Sequence, residues 1–365
     1  MYSWELDIYL SLTNFIYMIK AKFFLYLIVF PFALGIAQKS FVFQNELVKP
    51  GTKSHFKVPV TDDKNSTFIP ITIFHGIKSG QVLGITAGIH GYEYPPILAA
   101  QQLNQKIDPK LLSGTIILVQ VANVPAFLNR SPFLNPLDDK NLNRSFPGNA
   151  KGSITQQMAH VITKEVITKS DFFIDIHAGD APEDLLPYNA WYQSKAFPEV
   201  SKKGREMALA MGFDYSIIFD ISEERLKKPS LYCSQEAFHR GIPSVDIECG
   251  RLGIPDQIET DRIVNGVFSL LAHLRILNSN KERSSATPTI IAKRFTVKSK
   301  STGLFYSEKK SGDFIKKGEL VGYITDFFGN KIEKIKAPQG GMILYMIGTP
   351  PINKNETIMN VGIVP

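Results

Sequence analysis

Cysteine is nearly absent from this chain: Cys233 and Cys249 are the only two in 365 residues. Two thiols cannot cross-link a protein of this size, so its fold must rest on packing. Unbroken apolar runs long enough for a bilayer are missing too. Residues 23–35 (FFLYLIVFPFALG) give an apolar stretch of 13, interrupted by Pro31, against the roughly 20 that a span needs. There is no fixed-period repeat and no block of like charge. The excess of 41 Lys plus Arg over 34 Asp plus Glu is spread over pairs such as Lys202-Lys203 and Lys316-Lys317. Without interleaved aromatics, such pairs do not describe a nucleic-acid surface. A hydrophobic fraction of 44% excludes a largely disordered chain. At roughly 100–200 residues per domain, the length allows two domains or more.

The apolar stretch has its own grammar. Lys20 and Lys22 precede it, and Gly35-Ile36-Ala37 closes it with small residues at −3 and −1 of a cleavage after Ala37. A basic start, a short apolar centre and a small-x-small end describe a secretory signal over residues 1–37. Met18 is an alternative start, and an uncleaved anchor is the competing reading. The expectation is an exported protein, periplasmic or secreted, with no stable membrane span after cleavage. Export would permit a Cys233–Cys249 disulfide, although the plainer reading is two small buried side chains.

Behind the signal, residues 38–277 alternate between strand and helix text. Strand-like segments 41–48, 55–60 and 68–77 are followed by the apolar runs 81–87 (QVLGITA), 114–121 (GTIILVQV) and 172–176 (FFIDI), with 244–247 last. Helical periodicity covers 95–107, 153–169, 202–211 and 261–277. Alternation of this kind predicts an α/β domain with a mixed, largely parallel sheet flanked by helices. Residues 278–289 (NSNKERSSATPT) read as a linker. Residues 290–365 break into short strands around glycine turns, the pattern of a small all-β, barrel-like domain. Its Gly-rich spacing is similar to biotinyl/lipoyl-type barrels. The tip-like Phe328-Gly329-Asn330-Lys331 lacks the usual Met-Lys context, so a structural or pocket-shaping role is expected.

Chemistry is expected where strands end, because ligands of open α/β sheets bind beyond the carboxyl ends of strands. His90 and Glu93 follow QVLGITA at a spacing of three, and His177 ends FFIDI. Two imidazoles and a carboxylate suit Zn²⁺, and three protein ligands leave the fourth position open, as in catalytic sites. Arg130, Asn143 and Arg144 lie in the loop after GTIILVQV. Arginine clamps carboxylates through both oxygens of the fork, and an asparagine adds a donor. Glu248 ends the strand-like Val245-Asp246-Ile247-Glu248, where it would serve as general base and acid. Alternation puts Cys249 on the opposite face and Asp246 on the face of Glu248, where Asp246 would orient a ligand.

The stretches AGIHGYE, NLNRSFPG with Arg130 before it, IDIHAG and DIECG resemble the succinylglutamate desuccinylase/aspartoacylase family, a branch of the zinc carboxypeptidase fold. The resemblance runs from about Val58 to the end. It implies one Zn²⁺ per chain on His90, Glu93 and His177, and Glu248 as base and acid. It further implies Arg130 polarising the scissile carbonyl, with Asn143 and Arg144 holding a substrate carboxylate. Three positions depart from the family pattern: Tyr92 for Asp, Asn141 for the Asp of DLNR, and Val124 for Pro. The expected activity is hydrolysis of an amide in a small carboxylate-bearing substrate such as an N-acyl amino acid. The alternatives are an exported zinc carboxypeptidase or cell-wall peptide amidase, and a non-catalytic envelope binding protein. The sequence leaves the acyl group, the amine and the oligomeric state open.

Overall fold

Nine strands form one twisted sheet in the order Thr289–Ile291, Tyr215–Asp220, Tyr188–Gln193, Ser244–Glu248, Phe172–His177, Lys78–Ala87, Ser113–Val119, Ser66–His75, Thr52–Thr61. The computed structural model describes residues 39–278 and 287–364. The expected signal, residues 1–37, and most of the expected linker lie outside them. The four central strands, from Ser244–Glu248 to Ser113–Val119, run parallel, and the long Ser66–His75 and Thr52–Thr61 pair antiparallel at one side. The central strands are nearly continuous apolar text because both of their faces are covered. The expected mixed, largely parallel sheet flanked by helices is what the chain forms.

Helices Tyr94–Lys106, Pro198–Ala210 and Gln257–His273 cover one face around Leu83, Ile85, Leu103 and Leu270. Helix Ile154–Glu165 covers the other, with Met158 and Ile162 against Ile71, Ile117 and Val119. Its start follows from a capping box, in which Ser153 and Gln156 satisfy each other's backbone N–H groups. Its end comes earlier than the periodicity predicts, because residues 167–169 tighten into a 3₁₀ turn. The segment 41–48, expected as one strand, is a hairpin, Phe41–Phe43 with Glu46–Val48, turning at Gln44 and Asn45 with positive φ. Tyr188–Gln193 enters the sheet antiparallel to Ser244–Glu248. Its mixed text, YNAWYQ, hides a strand that is buried over five of six positions.

The C-terminal strands form two small sheets around Val321, Ile324, Ile343 and Met359. One contains Gly341–Ile347, Thr357–Ile363 and Lys293–Lys298; the other contains Lys331–Lys336, Leu320–Thr325 and Gly303–Ser307. The two parts of the chain exchange edges. Glu183–Leu185 pairs with Gly341–Ile347, while Thr289–Ile291 extends the nine-stranded sheet beside Tyr215–Asp220. The boundary expected between 289 and 290 therefore falls inside a strand of the large sheet. Asp184 strengthens the tie by accepting hydrogen bonds from the Ser311 N–H and Oγ, both at 2.9 Å. Among the described residues, no helix is long and apolar enough to cross a membrane.

Candidate metal and substrate site

Strand Lys78–Ala87 ends in Gly88, whose φ of +71° lets the chain turn at once under helix Tyr94–Lys106. Gly91 then allows close approach, since a Cβ there would stand 2.1 Å from the Phe127 nitrogen. Those two glycines place His90 and Glu93 at the carboxyl end of the sheet, beside His177 on the neighbouring strand. All three are buried, and one ligand atom from each lies within 4.8 Å of the others. Glu93 bridges the pair, with Oε1 2.6 Å from His90 Nδ1 and Oε2 3.0 Å from His177 Nδ1.

The far nitrogens are held as well. His177 Nε2 is 3.0 Å from Asp175 Oδ2, and Asp175 Oδ1 accepts from Thr86 Oγ1 at 2.6 Å. His90 Nε2 is 3.2 Å from Asn141 Oδ1. Imidazoles fixed at one nitrogen by an acceptor and converging through the other are the pattern of metal-ligating histidines. Two N donors, one O donor, burial and this orientation together fit Zn²⁺. Burial works against charge on these groups and is overcome by their mutual attraction. Beside the two imidazoles the Glu93 carboxyl is held at about 2, and beside Asp175 and Glu93 the His177 ring is raised well above its ordinary value.

Glu248 stands level with His177 in the parallel register and lines the same cavity of about 660 Å³. Burial pushes its pKa well above the ordinary carboxylate range. A raised pKa makes its carboxylate a stronger base than that of an exposed glutamate. Asp246 shares the Glu248 face but bonds no ligand histidine; Asp175 does that work. The local pattern Asp175-x-His177 carried the signal, because strand alternation puts both side chains on one face.

The loop after Ser113–Val119 behaves differently from its reading in the sequence. Arg144 lines the cavity and lies over the Tyr232 ring at 4.5 Å, with Nη1 donating to the Asn143 carbonyl at 2.7 Å. Asn143 also lines it, but its Oδ1 is engaged by the Cys233 N–H at 2.9 Å, and its Nδ2 stands 3.4 Å from His177 Nε2. Arg130 does not reach the cavity wall. It is the left-handed cap (φ 50°) of helix Val124–Asn129, with its side chain exposed. The same loop delivers Phe133 instead, whose ring packs edge-on to His90 with centroids 6.0 Å apart. Of the three departures from the family pattern, Asn141 alone touches the site. Its amide oxygen faces His90 and also caps the Asn143 N–H at 2.8 Å.

Cys233 and Cys249 are both free and buried in cores on opposite faces of the large sheet. Cys249 Sγ donates to Glu259 Oε2 at 3.0 Å.

The far wall of the cavity comes from the C-terminal strands, through Arg294, Tyr345, Thr357 and Asn360. Arg294 lies over the Phe219 ring at 4.7 Å. Glu183, from the strand that joins the two parts, lines the cavity with its pKa raised by burial to about 7. None of these positions carries a local sequence signal.

Comparison with known proteins agrees with this geometry. The chain is 25% identical over 314 residues to the N-alpha-acetyl-L-2,4-diaminobutyric acid deacetylase of Halomonas elongata, covering 83% of this chain and 88% of that protein. A succinylglutamate desuccinylase/aspartoacylase from Rhodobacter sphaeroides superposes with a TM-score of 0.76 at 22% identity, over 86% of this chain and 96% of its own. The product-bound ectoine utilization protein EutE (DoeB) of Ruegeria pomeroyi superposes with a TM-score of 0.76 at 21% identity, over 89% and 99%. Residues 79–274 match the succinylglutamate desuccinylase/aspartoacylase catalytic domain, and the chain belongs to that deacylase family.

Proposed function

We propose that the protein is an exported, zinc-dependent deacylase that hydrolyses the amide bond of a small N-acyl amino acid. The observation that carries the reading is the convergence of His90, Glu93 and His177 with Glu248 in one cavity that also holds Arg144. Zinc, when bound, supplies Lewis-acid polarisation of the carbonyl and a water that ionises near neutral pH. His90, Glu93 and His177 would hold it, with Asp175 and Asn141 fixing the two rings. The Glu248 carboxylate takes a proton from the attacking water and returns it to the departing nitrogen, so water adds across the C–N bond and acid and amine leave. Arg144, steadied by Tyr232, binds the substrate carboxylate through its two-pronged guanidinium. The C-terminal strands bound the cavity, which favours an acyl amino acid over the longer chain that an exported carboxypeptidase or peptide amidase would admit. The name of the Halomonas relative supports the same substrate size. Export rests on the reading of residues 1–37.

The test is zinc content together with hydrolysis of a panel of N-acyl amino acids, for the wild type and Glu248→Gln. Both proteins should hold stoichiometric zinc, and the variant should lose roughly 10²–10⁴-fold in kcat. Bound zinc without Glu248-dependent hydrolysis would refute the deacylase reading.

A further inference from the structure

The chain's positive charge is not shared evenly along it. Residues 287–365 hold twelve Lys and Arg against six Asp and Glu, so six of the seven net positive charges fall on the C-terminal strands. The same strands carry the two most exposed large apolar side chains among the described residues, Phe327 at 78% and Phe328 at 91%. They sit at the tip of the hairpin between Leu320–Thr325 and Lys331–Lys336. Asp326 builds that tip. Its Oδ1 accepts from the Phe328 and Asn330 N–H groups, both at 2.9 Å, its Oδ2 accepts from Asn330 Nδ2 at 2.9 Å, and Gly329 takes φ +89°. The backbone under the two rings is therefore fixed, and the rings stay in water.

Strand register gathers cations at the same end. Thr325 pairs with both Lys331 and Leu304, and Gly303 pairs with Ile352. The turns 299–302 and 353–356 thus lie at the end of the four-stranded sheet that carries the tip, joined by the Asn355 N–H donating to the Ser299 carbonyl at 2.9 Å. They bring Lys300 and Lys354 to the end where Lys331 rests over the Tyr323 ring, 3.9 Å from its centroid. All three lysines are exposed, and none is ion-paired among the described residues. The acids of this end are occupied by backbone instead: Glu333 accepts from the Lys300 N–H at 3.1 Å and Glu356 from the Asn353 N–H at 2.7 Å.

Two phenylalanines bury about 150–250 Å² each, well short of the roughly 800 Å² per partner of a stable protein interface. A second copy docked tip to tip would also bring like charges together. A phospholipid surface matches both features, because the rings sink to the acyl boundary while the lysines stay among the phosphates. We propose that the Phe327-Phe328 tip, with Lys300, Lys331 and Lys354, is a peripheral docking site for an anionic phospholipid bilayer. Lipid docking at this tip does not depend on the deacylase reading.

The test is co-sedimentation of residues 38–365, which form one compact unit without the apolar stretch 23–35, with vesicles of phosphatidylcholine alone or mixed with phosphatidylglycerol. The mixed vesicles should bind roughly 10–100-fold more tightly, and added salt should weaken that binding. Phe327→Ser with Phe328→Ser should lose about tenfold or more. Replacing Lys300, Lys331 and Lys354 together by Gln should abolish the preference for the mixed vesicles. Phe328→Trp, a single exposed change, gives a readout independent of affinity, since its emission should shift to the blue with the mixed vesicles. Equal binding of the two vesicle types overturns the proposal, as does binding that survives loss of both rings. So does an unshifted Trp emission, and so does self-association without lipid that the double Phe variant abolishes.

Discussion

The two walls of the cavity are built on different principles. The wall made by the carboxyl ends of the large sheet consists of buried ionisable groups, each fixed by a second residue. Glu93 is held between two imidazoles, His177 by Asp175, and Asp175 by Thr86. The opposite wall is made by the small C-terminal sheet, where Arg294 is exposed and lies over the Phe219 ring. A buried charge with several partners cannot move without leaving one of them unmet, so the first wall is rigid and its chemistry is set in advance. An exposed arginine is screened by water and can adapt, so the second wall suits selection and closure more than bond breaking.

Substitutions on the two walls should separate these roles. The largest effect belongs to His177→Ala, which removes a candidate ligand and takes one partner each from the buried Asp175 and Glu93, leaving them Thr86 and His90. Zinc analysis should show the metal lost, and kcat/KM should fall by roughly 10³-fold or more, the several kcal/mol that Lewis-acid assistance supplies.

An intermediate effect is expected where the walls meet the substrate. Arg144→Ala should raise KM and lower kcat/KM by about 10–100-fold, as befits a charged hydrogen-bond donor. Both arginines are exposed and lie over a ring, but Arg144 is also anchored on the Asn143 carbonyl beside His177. Arg294→Ala on the far wall should therefore change kcat/KM by less than about fivefold. Steady-state kinetics on one N-acyl amino acid decides between them. A larger loss at Arg294 would reverse the assignment of the two walls.

The smallest effect concerns Glu183, on the strand that joins them. Burial raises its carboxyl from 4.5 to about 7. The charged form is thus disfavoured in the folded state, so stability falls as pH climbs from about 4.5 to about 7 and is level above that. Because the side chain is partly exposed, the cost is roughly 1–2 kcal/mol. Denaturation of the metal-free protein at pH 5 and pH 8 should show Glu183→Gln more stable than the wild type at pH 8 only. An equal difference at both pH values would mean that Glu183 does not titrate in this window.

Legibility in the sequence followed the same division. The ligand wall was readable because its residues sit at the ends of continuous apolar strands, where position in the chain nearly determines position in space. Of the second wall only the pocket-shaping role of the C-terminal part was readable; its residues were not, because Arg294, Tyr345 and Asn360 reach the cavity through the exchange of edge strands between distant segments. Arg130 is the contrasting case. It lies in the expected loop, but membership of a loop does not fix where a side chain points, and Arg130 is exposed and outside the lining of the cavity.

What the sequence determined by itself is therefore local: alternation of strand and helix, the strand ends that carry His90, Glu93, His177 and Glu248, and the opposite facing of Glu248 and Cys249. Strand periodicity and the glycine turns that end the strands are short-range properties, and they survive in any fold that keeps those strands parallel and buried. What the tertiary structure decided is relational. It paired Asp175 rather than Asp246 with a ligand histidine, left one oxygen of Asp246 unmet, kept the two cysteines on opposite faces of the sheet, and closed the cavity with residues more than a hundred positions from the metal ligands. These outcomes depend on which strands become neighbours and in what register, and hydrogen bonds between residues far apart in the chain settle that.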